Sequence, residues 1–145
     1  MIYTDLTKKA LKLCFESHKE QTDKTGMPYV FHPFHLAEQM DDEISTVCAL
    51  LHDVVEDTDT TFEDLLDMGF PTEVIEVLTL LTHEDGVEYM DYVEKISHHP
   101  TARKVKIADL RHNSDLSRMN AAEIDEYAIK RTQKYKTALK LLKAD

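Results

Sequence analysis

Residues 43–57 read Glu43-Ile44-Ser45-Thr46-Val47-Cys48-Ala49-Leu50-Leu51-His52-Asp53-Val54-Val55-Glu56-Asp57. Val47, Leu50, Leu51 and Val54 recur at spacings of three and four, which predicts an amphipathic helix from Glu43 to about Val55. Its apolar face is interrupted near the C-terminal end by a histidine and an acid. If the helix continues, His52 and Glu56 stack at i, i+4, and so do Asp53 and Asp57. One helix end then gathers an imidazole and three carboxylates. Close carboxylates repel, and a bound cation is the usual remedy. The mixed donor set suits a divalent ion such as Mn, Fe, Zn or Co. An ion-pair network with a neighbouring helix, with Glu56 and Asp57 solvated, is the alternative for the same residues.

The same period runs outward in both directions. Leu6, Ala10, Leu13, Cys14 and His18 predict a helix from about Thr4 to Glu20, with His18 structural or paired with the helix dipole. Residues 21–32 read as a loop, after which Pro33 opens a short helix in its first turn. Thr60 with Glu63 and Thr61 with Asp64 offer capping boxes for a helix over Phe62–Met68 that Gly69 stops. Further helices follow from Pro71 to about Thr82, from Val87 through Ile96, from Pro100 to about Ser117, and from Ala121 to Leu142. Three glycines, four prolines and no alternating pattern leave no strand pair. The expectation is an all-α bundle of seven or eight helices, forming a single domain over residues 1–145.

Composition narrows the function. With 28 acidic and 17 basic residues the formal charge is −11, which argues against nucleic acid or an anionic membrane surface as partner. A polyanionic small molecule stays open, because a bound cation reverses the local field. No apolar run approaches the roughly 18 residues of a membrane span, and the first residues carry no signal-peptide pattern. Cys14 and Cys48 lie in apolar helical stretches and read as buried reduced thiols, so a cytoplasmic protein is expected.

Two other segments bear on the histidine–acid cluster. His32-Pro33 closes the Gly/Pro loop, a junction from which a ligand can point inward. In Val105-Lys106-Ile107-Ala108-Asp109-Leu110-Arg111-His112-Asn113 an apolar helix face is broken at Asp109, with Lys106 and Asn113 on the same stripe. A buried acid needs a partner. Arg111 or Arg103 would supply one; a metal joining His32, His52, Asp53 and Asp109 would satisfy all four residues. His98, His99 and His112 read as surface or capping residues, and His35 as a candidate neighbour of His32. The lysines and arginines of the last helix read as a solvated face, from which Arg131 or Lys134 can flank an anionic pocket.

His32, His52-Asp53 and Asp109 resemble the H…HD…D signature of the HD-domain metal-dependent phosphohydrolases. Three longer segments, Gly26–Pro33, Ala49–Thr58 and Lys106–Asn113, resemble the hydrolase domain of the RelA/SpoT homologues, which remove the 3′-pyrophosphate of ppGpp and pppGpp. The resemblance covers about residues 10–120 and implies an HD-domain helical bundle. It also implies a divalent-metal phosphohydrolase, with Mn2+ expected and Fe, Co, Zn or Mg as alternatives. By position, the metal ligands would be His32, His52, Asp53 and Asp109. Glu56 and Asp57 would position the attacking water as the catalytic acids. Lys24 would pack near the purine of the small-molecule nucleotide substrate, and Asn113 would contact its ribose.

The chain departs from the family in three places. Asp23-Lys24 stands where the family has Arg-Lys, and an aspartate cannot stack on a guanine face. His83 stands where many relatives carry a phosphate-contacting lysine. The family's Asp-Arg-Leu-His-Asn reads Asp109-Leu110-Arg111-His112-Asn113 here. Two other functions therefore stand beside alarmone hydrolysis: a broader nucleotide phosphatase on the same metal site, and a regulatory module that binds a nucleotide without hydrolysing it.

Overall fold

The apolar run after Glu43 forms helix α3 (Glu43–Leu51), started by the Asp42 carboxylate, which accepts from the Ser45 amide at 2.8 Å. Every residue from Ser45 to Leu51 is buried, so α3 is enclosed on all sides rather than amphipathic. Ser45, Thr46, Cys48 and Ala49 are small enough to let neighbours approach closely on the side away from Val47, Leu50 and Leu51. α1 (Asp5–His18), α2 (Phe31–Glu38), α6 (Thr72–Leu81) and α8 (Pro100–Asn113) all pack against it.

The helix does not continue to Val55. His52 and Asp53 form a turn, with Asp53 at φ −111°, ψ 2°, and α4 (Val54–Asp57) resumes after it. The His52 side chain explains the break. Its Nδ1 lies 2.7 Å from the Ala49 carbonyl, the acceptor that a continuing helix would give to the Asp53 amide. The expected stacking of His52 on Glu56 is therefore replaced by a corner, whereas Asp53 becomes the N-cap of α4 and stays one turn from Asp57, whose amide donates to its carbonyl at 2.9 Å.

The computed structural model describes residues 1–143. Among them lie nine α-helices, two short 3-10 turns and one isolated bridge between Thr22 and Pro28, with no strand. α1 opens on a capping box made by Thr4 and Thr7. α5 (Phe62–Asp67) opens on the capping box of Thr61 and Asp64, and Gly69 at φ 95° ends the turn that follows it. α7 (Tyr89–Ser97) and α9 (Glu126–Lys143) close the bundle against α8. The core is one cluster that includes Leu36, Val47, Leu50, Val77, Ile96, Val105 and Leu110. Cys14 and Cys48 are buried in it as free thiols.

Three boundaries differ from expectation. α2 begins at Phe31, so His32 sits in its first turn rather than in the loop. α8 stops at Asn113, because Asp115 turns back to accept from the Ser117 amide at 3.0 Å. Residues 121–123 form a 3-10 turn capped by Asn120, and the last helix begins only at Glu126. No helix among the described residues is long and apolar enough to cross a membrane.

Leu50 is fully buried on α3. Leu50→Ala is expected to cost about 2–5 kcal/mol through lost transfer energy and a cavity. A lower urea midpoint at unchanged slope would report it. A loss under about 1 kcal/mol would mean that α3 is not the central helix.

Candidate metal centre and active site

α2, the end of α3 and α8 meet at the corner. The loop before α2 is folded by Asp23, whose Oδ1 accepts from the Thr25 amide at 2.8 Å, the Thr25 hydroxyl at 2.7 Å and the Met27 amide at 3.1 Å. Gly26 makes that turn at φ 82°. The loop delivers Tyr29, whose hydroxyl donates to Asp53 Oδ2, and one turn later His32 faces α8.

His32, His52 and Asp109 are buried together, with one donor atom of each within 4.8 Å of the others. His32 Nε2 lies 2.9 Å from Asp109 Oδ1, and His52 Nε2 lies 3.7 Å from the same oxygen. Because the Ala49 carbonyl can only accept, His52 Nδ1 carries the proton of that bond. In the neutral ring Nε2 is then a lone pair. It is buried without a hydrogen-bond partner and faces two carboxylates, with Asp53 Oδ2 at 3.1 Å. A lone pair aimed at carboxylates needs a cation between them. Without a metal that cation is a proton: burial would push His52 down, but Asp53 and Asp109 hold it well above its ordinary value.

Asp53 adjoins this group through His52 but is not one of the three whose donor atoms converge. Burial would raise its carboxyl, yet His52 and the Tyr29 hydroxyl hold it down to about 2. Asp109 receives Lys106 Nζ on Oδ2 and Asn113 Nδ2 on Oδ1, each at 2.9 Å. Its partner is thus Lys106, one turn back on the same helix, rather than Arg103 or Arg111. Burial would raise Asp109 and lower Lys106; their mutual attraction reverses both shifts, holding the acid well below and the amine well above the usual range.

His112, expected at the surface or as a cap, belongs to this cluster. Its ring stacks on His32 with centroids 4.9 Å apart, and the two Nδ1 atoms are 2.6 Å apart. Burial, followed by the fields of His32 and Arg118, keeps it low, at about 4. A neutral His112 can accept from His32 Nδ1, the arrangement that leaves His32 Nε2 free as a ligand. The His35 ring packs against His112 with centroids 4.3 Å apart and planes tilted by 34°. His99 is the cap of α8, as expected. His18 is buried, with Nδ1 3.0 Å from Gln21 Oε1.

Glu56 and Asp57, both exposed, fall on two adjoining clefts. One, of about 330 Å3, is lined by Lys24, Tyr29, Asp57, Asn113, Arg118 and Arg131. The other, of about 220 Å3, is lined by Asp53, Glu56, His83, Lys106, Asp109 and Asn113. Partial burial and the Asp53 charge push both Glu56 and Asp57 up. Lys24 and Arg131 lie over the Tyr127 ring, at 4.9 and 5.5 Å. Arg118 pairs with Asp23 at 3.4 Å. Sequence reading missed Tyr29, Lys106, His112 and Arg118 as members of the site. Only Lys106 carried a signal, its place on the Asp109 stripe.

Comparison with known proteins supplies the family and the fold. The guanosine-3′,5′-bis(diphosphate) 3′-pyrophosphohydrolase MESH1 of Danio rerio is 33% identical over 133 residues, covering 83% of this chain and 72% of the relative. The chain belongs to this family. The MESH1 of Homo sapiens is 29% identical over 140 residues, covering 88% of this chain and 76% of the relative. A long relative, the guanosine-3′,5′-bis(diphosphate) 3′-pyrophosphohydrolase of Aquifex aeolicus, is 38% identical over 85 residues, and the match spans only 12% of its length. The solved structure of a metazoan ortholog of SpoT superposes with a TM-score of 0.79 at 23% identity, covering 99% of this chain and 89% of that one. It shares the all-α HD-domain fold. No protein-family profile matches the chain.

The raised His52 pKa has a testable sign. In metal-free protein its contribution to stability is complete below about pH 6.5, the unfolded value, and is lost as pH rises through the higher folded value. The stability gap between wild type and His52→Asn, measured by urea unfolding in chelator, should therefore shrink as pH rises above 7. A gap that widens with pH would contradict the arrangement of His52 between two carboxylates.

Proposed function

We propose that the protein removes the 3′-pyrophosphate of ppGpp and pppGpp, using a divalent cation held by His32, His52, Asp53 and Asp109. The observation that carries this reading is the buried, unpartnered Nε2 of His52 beside Asp109 and Asp53. Two imidazoles with carboxylates suit Mn2+, with Fe, Co, Zn and Mg as alternatives. The names of the relatives support the substrate class. A bound cation would neutralise phosphoryl oxygens and make a nearby water more acidic.

The chain's own groups account for the rest. Lys24, Arg118 and Arg131 stand beside Asp23, Asp57 and Asp115 in one cleft, which balances its formal charge in a protein of net charge −11 and supplies cations for a polyanionic nucleotide. Asn113 spends one of its two amide hydrogens on Asp109, leaving its oxygen to accept from a ribose hydroxyl. Glu56 and Asp57, with raised pKa values, orient the attacking water and take its proton. The water oxygen bonds to the phosphorus on ribose O3′, the P–O3′ bond breaks, O3′ is protonated and pyrophosphate leaves. Cys14 and Cys48, buried and unpaired, suit a cytoplasmic setting.

Asp23 favours a second reading, a phosphohydrolase with wider base tolerance. Its carboxylate is occupied by its own loop and by Arg118, and no guanidinium at that position is available to stack on guanine.

Purified protein with Mn2+ should release pyrophosphate from ppGpp in preference to a panel of nucleoside mono-, di- and triphosphates. His52→Ala should lose bound metal and turnover together. Glu56→Gln should keep stoichiometric metal and lose about 10²–10⁴-fold in kcat. Orthophosphate from another nucleotide, with ppGpp untouched, would select the second reading; metal binding without any turnover would select a binding module.

A further inference from the structure

Between α6 and α7 the chain passes through Thr82-His83-Glu84-Asp85-Gly86-Val87-Glu88. The His83 backbone N–H donates to Glu56 Oε1 at 2.9 Å, across 27 residues of sequence. The His83 ring is committed elsewhere. Its Nε2 lies 2.6 Å from the Val87 carbonyl, which can only accept, so that nitrogen is the donor. The ring is also stacked on Tyr92, with centroids 4.6 Å apart and planes 21° from parallel. Tyr92 in turn donates its buried hydroxyl to the Leu81 carbonyl at 2.6 Å, at the end of α6. Gly86 at φ +84° lets the chain turn back so that Val87 reaches His83.

We propose that the 82–88 loop is a preformed clamp on Glu56, with His83 as its positioning residue. The clamp deepens the proposed function and rests on Glu56 being the group that orients the water. An exposed glutamate samples several rotamers, and a fixed donor on one oxygen narrows that choice while spending only one of the two carboxylate oxygens. The bond holds Glu56 in the cleft that it shares with Asp53, Lys106 and Asp109. His83 thereby acts through its backbone and its loop, with its ring Nε2 spent on the Val87 carbonyl. A lysine at this position has no planar ring to stack on Tyr92, so it cannot rebuild the clamp.

His83→Phe keeps the stack on Tyr92 and removes the bond to Val87; His83→Lys introduces a phosphate-seeking cation. Both variants should lose about tenfold or more in kcat, with KM within twofold, bound metal unchanged and thermal midpoint little moved. In a Glu56→Gln background, His83→Phe should cause little further loss of the residual turnover. A His83→Lys variant with wild-type kcat and lower KM would overturn the clamp and make position 83 a phosphate contact. An equal loss from His83→Phe in both backgrounds would overturn it as well. Hydrogen exchange at the His83 amide supplies a readout that needs no turnover: exchange should be slow in wild type and fast in Glu56→Ala. If wild-type protein leaves ppGpp intact, the functional reading fails while this exchange comparison still decides the clamp, equal rates in the two proteins overturning it.

Discussion

The hydrogen bond from His52 Nδ1 to the Ala49 carbonyl is the interaction on which the site depends. It ends α3 inside the core, at a point where the backbone would otherwise continue as a buried helix. The same bond fixes which ring nitrogen carries the proton and turns the other toward Asp53 and Asp109. Burying a lone pair against carboxylates costs far more than burying a methyl group. A fold that places one there has a cationic occupant for it, proton or metal. The surrounding contacts serve that point: Tyr29 on Asp53, Lys106 and Asn113 on Asp109, His112 on His32.

Charge is distributed to the same end. The chain is strongly acidic, and each cleft beside the centre sets cations among its carboxylates: Lys24, Arg118 and Arg131 with Asp23, Asp57 and Asp115 in one, Lys106 with Asp53, Glu56 and Asp109 in the other. Lys106 is held largely out of solvent by Asp109, one turn away, and neutralises the acid oxygen that points from the histidines. Asp109 Oδ1 faces the centre and also accepts from Asn113. The division of Asp57 and Glu56 between the two clefts follows from their being neighbours on α4, where consecutive side chains diverge by about 100°.

Helix content and most boundaries were legible, because capping boxes, prolines and glycines act locally: Thr61 with Asp64, Pro100 and Gly69 each sit where sequence placed them. The break after Leu51 was not. The Glu43–Val55 period is continuous, and only the contest between the His52 ring and the Asp53 amide for one carbonyl ends it. His32, His52 and Asp109 stood out as polar residues inside apolar runs. Tyr29, His112 and Arg118 did not, since each acquires its place through contacts between distant segments: Tyr29 with Asp53, His112 with His32, Arg118 with Asp23. His83 carried a signal of family position, but its backbone contact to Glu56 has no trace in sequence.

The central claim is that the His52 lone pair receives a divalent cation. Anomalous diffraction from crystals grown with Mn2+ tests it without any substrate. The account predicts one strong peak within bonding distance of His32, His52 and Asp109, with the His52 ring contacting it through Nε2. A fully loaded protein whose peak lies elsewhere, or whose His52 Nε2 remains free, would contradict it.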